Sequence, residues 1–147
     1  MNVDRMQAII QDLRDVHERD LKLDMGQWSS KQFRTETGTW KCGTAACAIG
    51  WHLASERNTG LFMGTGTRVI PTIYNPETGK RLTHYDAIAY YLDIPVSGAK
   101  YLFDIHTSVQ TKNFEHCVSK QGITPLDMIS AIELYMEKNP NAKYFDQ

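Results

Sequence analysis

The stretch Cys42-Gly43-Thr44-Ala45-Ala46-Cys47-Ala48-Ile49-Gly50-Trp51-His52-Leu53-Ala54 decides how the rest of the chain is read. It is entered through a tight Cys-Gly-Thr turn and carries small or apolar side chains on nearly every side. At helical pitch, Ala46, Ile49, Gly50 and Leu53 form one stripe, and Cys47, Trp51 and Ala54 form the stripe beside it. The third side, Ala45, Ala48 and His52, is mostly methyl groups. A helix with no face for water is expected at the centre of a domain, covered by other elements. Gly50, without a side chain, would let a neighbour come close.

Outward from that helix, the clearest partners are also helical. Residues 4–17 place Met6, Ile9, Ile10, Leu13 and Val16 at three-four spacing, with Asn2 or Asp4 as cap. Leu21, Leu23 and Met25 then alternate with charged residues, which suggests an extended stretch leading to Trp28. Residues 29–41, anchored by Phe33 and Trp40, read as an irregular wrap, and Asn58-Thr59-Gly60 as the central helix's stop.

The β signal is Arg68-Val69-Ile70-Pro71-Thr72-Ile73-Tyr74, followed by turn chemistry from Asn75 to Lys80. It predicts one hairpin, with residues 60–66 or 80–82 as partner and Pro71 placing the strand at an edge. Thr83 and Asp86 have capping-box spacing ahead of a helix through Ala87, Ile88, Tyr91 and Leu92 that Pro95 stops. Ser97 is the expected cap of a shorter helix carrying Leu102 and Phe103. Phe114, Cys117 and Val118 could share one face of a short helix. The last helix carries Thr124 as cap, Pro125 at its first position and Asp127 at its third, with Ile123 and Met128 spaced as a staple. The fold class is therefore mainly α (α+β): one domain, 1–147, around a central buried helix, with one small hairpin in a 57–82 insertion.

Composition narrows the function classes. The chain has 147 residues, 41% apolar and 22% charged, with a net charge of −1, enough for one core without staples. Acids and bases are interleaved, which argues against a nucleic-acid binder. The N-terminus lacks a signal-peptide core and no run is long enough to span a membrane, so the expected location is the cytoplasm, with no membrane partner. Three cysteines are then expected as thiols.

Cys42 just ahead of a helix N-terminus is the sharpest chemical feature, since the dipole there favours a thiolate. A cysteine-dependent hydrolase or transferase would pair it with His84 or His106, but no sheet carrying a histidine and an orienting Asn or Asp accompanies it. The simpler reading gives Gly43 the turn, Thr44 the cap, and both Cys42 and Cys47 apolar packing. Cys42, Cys47 and His52 do not make a metal site, because five-residue spacing rotates a helical side chain by about 140°. Neither a metal nor another cofactor is expected. Trp28, Trp40 and Trp51 could line a pocket for a flat ligand, although large core filler is the commoner use. Residues 60–67 are glycine-rich but lack a phosphate-loop ending. They read as a mobile hairpin edge on which Phe62, with Tyr74, His84 and Tyr85, could form a binding surface.

These residues together resemble a family of small uncharacterised proteins of tailed phages and prophages. The resemblance rests on Met25-x-x-Trp28, on Cys42-Gly43-Thr44-x-x-Cys47-x-x-Gly50-Trp51, on Ala89-x-x-Leu92-Asp93-Ile94 with Leu102-Phe103, and on a closing helix with a Thr-Pro start. Segment 57–82 lies outside it and reads as an addition of this chain. The resemblance implies a small accessory protein in the host-cell cytoplasm and attaches no activity to it. The expectation is a non-enzymatic protein that binds a host protein or a small ligand in takeover or counter-defence, with a homo-oligomer left open. The alternatives are the Cys42 enzyme and a nucleotide-type sponge with a Trp-lined pocket.

Overall fold

Five helices and two small sheets make up the described part of the protein, which in the computed structural model comprises residues 1–23, 45–63, 70–103 and 123–145. The architecture is mainly α with a small antiparallel sheet. Helix α1, Val3–Glu18, is capped by Asn2, whose side chain accepts from the Arg5 amide. Its expected stripe of Met6, Ile9, Ile10, Leu13 and Val16 is buried. This is the helix against which α2, Ala48–Leu53, α3, His84–Leu92, and the closing helix α5, Pro125–Lys138, all pack.

Of the stretch that opened the reading, residues 45–54 are described, and the helix takes only 48–53 of them. Ala45–Ala46 form strand β2, paired in parallel with β1, Lys22–Leu23, and only six residues of α2 follow. Cys47 ends the extended segment and caps α2, its Sγ accepting from the Gly50 amide at 3.3 Å. The cap expected at Thr44 therefore falls three residues later. An all-apolar run fits a buried strand as well as a buried helix, and periodicity alone does not separate them. Trp51 is half-buried and its ring N–H donates to the Lys22 carbonyl at 3.0 Å, which ties α2 to β1.

The helix also stops earlier than Asn58, at Leu53. Asn58 instead builds the turn into the second sheet: its side-chain oxygen accepts from the Gly60 and Leu61 amides and its NH₂ donates to the Leu61 carbonyl. That sheet is a three-stranded meander of β3, Phe62–Met63, β4, Pro71–Tyr74, and β5, Arg81–Thr83. Both expected partners of β4 are used, so Pro71 lies in the central strand and not at an edge. It is tolerated because it is the strand's first residue, where a missing N–H interrupts least. The 75–80 turn closes as its residues dictate, with Gly79 at φ 70° and the Asn75 amide bonded to the Lys80 carbonyl at 2.9 Å. Ile73 faces Leu82 across the strands and both are buried.

β5 runs into α3 without a linking residue, through His84 at φ 56°. Thr83, the residue before that reversal, makes no side-chain capping bond. Helix α4, Val96–Phe103, begins one residue before Ser97, so Ser97 lies in its first turn and not at its cap. Helix α5 forms as its residues predict: the Thr124 hydroxyl accepts from the Asp127 amide, and the Asp127 carboxylate accepts from the Thr124 amide. Ile123 and Met128 are both buried. The Phe114–Val118 helix lies outside the described residues.

Gly98 sets the approach of α4 to α5. A methyl group there would fall 2.1 Å from the Tyr135 hydroxyl and 2.9 Å from its ring. Gly98→Ala is expected to destabilise by about 1–3 kcal/mol, the usual cost of overpacking. Adding Tyr135→Phe should recover part of it, and urea unfolding of the three variants measures both.

Candidate functional site

Among the described residues, a buried file of hydrogen bonds runs from α1 to the loop after α2. Asp12 interrupts the apolar face of α1 and is only 5% exposed. One carboxylate oxygen meets Nδ1 of His52 at 2.6 Å, and the other accepts from the Ser55 hydroxyl at 2.6 Å and Arg57 Nη1 at 2.8 Å. His52, fully buried on α2, meets the Tyr91 hydroxyl through Nε2 at 2.9 Å. That hydroxyl in turn accepts from the Thr59 amide at 3.1 Å. A carboxylate opposite Nδ1 fixes that nitrogen as the donor and leaves Nε2 to accept from the Tyr91 O–H.

Both ring nitrogens of His52 are therefore occupied by protein groups, and the residue is fully buried. The file is a positioning device. Its outer end is anchored by Arg57, which also bonds Asp15 at 2.7 Å. That bond holds the Asp15 carboxyl below its ordinary value against the opposing effect of burial, while bonds to Asp12 and then Asp15 raise Arg57.

The inner end opens on a groove. Thr59 is exposed, and its hydroxyl accepts from Arg5 Nε at 3.1 Å. Arg5 Nη1 donates to the Tyr91 carbonyl at 2.7 Å, and the guanidinium lies 4.3 Å over the Tyr91 ring. Arg5, Thr59, Phe62, Tyr74, Tyr90, Asp93 and Tyr144 line a groove of about 620 Å³. Phe62 stands opposite Thr72, so Tyr74 is its diagonal neighbour on β4. Their rings stack at 5.5 Å and 24° while remaining 38% and 56% exposed. Tyr90 and Tyr144 meet edge to face at 5.2 Å. Burial pushes the Asp93 carboxyl up, but the Tyr144 amide and the Met1 ammonium outweigh it and hold it below its ordinary value.

The structure thus brings together two of the residues expected to bind, Phe62 and Tyr74. His84 and Tyr85 sit at the start of α3 and do not line this groove. Trp28, Trp40, Cys42, Gly43, Thr44 and His106 lie outside the described residues. Cys47 is buried. Tyr90 was legible only as one of several tyrosines that could extend the surface, and Arg5, Thr59 and Tyr144 were not legible as site residues, because their convergence is tertiary. A second, larger depression of about 870 Å³ lies between α4, α5 and the residues after α5, lined by Tyr101, Leu134 and Tyr135 among others. Among the described residues, no three His, Cys, Asp or Glu side chains gather to hold a metal, and no helix is long and apolar enough to cross a membrane.

Comparison of the chain with protein-family models, curated proteins and solved structures finds no match.

Two outcomes follow from the buried file. Asp12→Ala strands His52, Ser55 and Arg57 and should cost about 3–5 kcal/mol, read from denaturant unfolding. A lowered Asp15 carboxyl contributes stability that is complete above its unfolded value, about 3.9, and is lost as pH falls through the folded value. The stability difference between wild type and Arg57→Met should accordingly be largest above about pH 4 and shrink below it.

Proposed function

We propose that this is a small, non-enzymatic accessory protein of the phage type that works by binding a host protein or small ligand in the host cytoplasm. The binding surface is the groove bordered by Phe62 and Tyr74. One observation carries the reading: two large aromatic rings are stacked on one another yet left partly in water, beside a concave surface. A fold that buries Tyr91 completely has the means to cover such rings, and leaving them exposed costs hydrophobic stabilisation. Exposed apolar groups gathered at a concavity mark interaction sites. The resemblance to phage proteins supplies the biological setting, and His52, sealed by Asp12 and Tyr91, offers no base for catalysis.

The test is retention of species from host lysate on immobilised protein, read by native mass spectrometry. Phe62→Ser with Tyr74→Ser should abolish retention with little change in thermal stability, and Cys42→Ser should leave it intact. Retention that survives the double change but disappears with Cys42→Ser would overturn the reading.

A further inference from the structure

We propose that the groove takes a nucleoside phosphate, its ring stacked on the Phe62–Tyr74 platform and its phosphate held by Arg5. This rests on the groove being the binding surface argued above. The decisive feature is Arg5. A free arginine side chain loses substantial entropy when immobilised, yet this one is fixed three ways, by Thr59 Oγ1, by the Tyr91 carbonyl and by the Tyr91 ring beneath it.

Among the described residues, no carboxylate pairs with Arg5, and its Nη2 has no protein partner. A rigid guanidinium without a counter-charge is equipped for an oxyanion, and phosphate matches its planar fork. The other charge in the groove, Asp93, already accepts from the Met1 ammonium and the Tyr144 amide, so its carboxylate is met within the protein.

The platform supplies the other half of the ligand. The stacked pair leaves part of its aromatic surface exposed beside the groove, and bases stack on aromatic rings regardless of identity. A volume of about 620 Å³ falls in the usual range for small-ligand sites. Among the described residues, Arg5 is the one cation lining the groove, and it is bonded there to Thr59.

Calorimetric titration of the full chain with AMP, adenosine and ribose 5-phosphate tests the proposal. AMP should bind about tenfold or more tightly than either fragment, and added salt should weaken AMP while leaving adenosine unchanged. Arg5→Met should bring AMP down to the level of adenosine, and Tyr74→Ser should weaken both by about tenfold. The wild-type comparison does not depend on any variant folding. AMP binding no better than adenosine, or no binding of AMP, GMP, CMP or UMP at millimolar concentration, overturns the ligand class. If lysate retention is still lost on changing Phe62 and Tyr74, the surface stands without this ligand. Nucleotide binding indifferent to Phe62 and Tyr74 overturns both.

Discussion

A carboxylate and an imidazole, Asp12 and His52, meet at 2.6 Å in the interior, and the arrangement of three helices depends on their doing so. Neither group can be left there alone, since an unpartnered charge or ring nitrogen in the core costs more than a single packing contact returns. Asp12 comes from α1, His52 from α2 and Tyr91 from α3, so satisfying the pair fixes all three elements against one another. Replacing such a pair by apolar groups of similar shape is often neutral for stability. What the pair supplies is geometry: apolar stripes on α1 and α3 would tolerate sliding, and a hydrogen-bonded file does not.

The same file reaches the surface. Tyr91 is fixed by His52 and Thr59 at its hydroxyl, and its ring and carbonyl then hold Arg5. The cation that lines the groove is therefore positioned by contacts that begin in the core, at Asp12 about two turns further along α1. Preorganisation of this kind lowers the entropy lost when a partner arrives. The aromatic wall has a separate origin, in the register that sets Phe62 diagonal to Tyr74 across β3 and β4.

Much of the fold could be read from local pattern. The stripe Met6 to Val16 and the capping box at Thr124 are self-contained signals, and both stand as the residues predict. Local chemistry misled where tertiary packing decided. The apolar run at Ala45–Ala46 suits a strand as well as a helix, and Thr83 has cap spacing but precedes a backbone reversal at His84. At the site, Phe62 and Tyr74 were legible as large apolar residues in a turn-rich stretch. Asp12 drew no separate reading, and His52 was weighed only among alanines and as an unsuited metal ligand, because nothing in sequence spacing tells which carboxylate will meet which ring across forty residues.

Nitrogen-15 NMR of the His52 imidazole tests the central claim most directly. The account predicts a proton on Nδ1 that exchanges slowly with solvent and shows scalar or through-space connection to Asp12 and not to water. A ring protonated only on Nε2, or an Nδ1 proton exchanging at the rate of an exposed histidine, would contradict it.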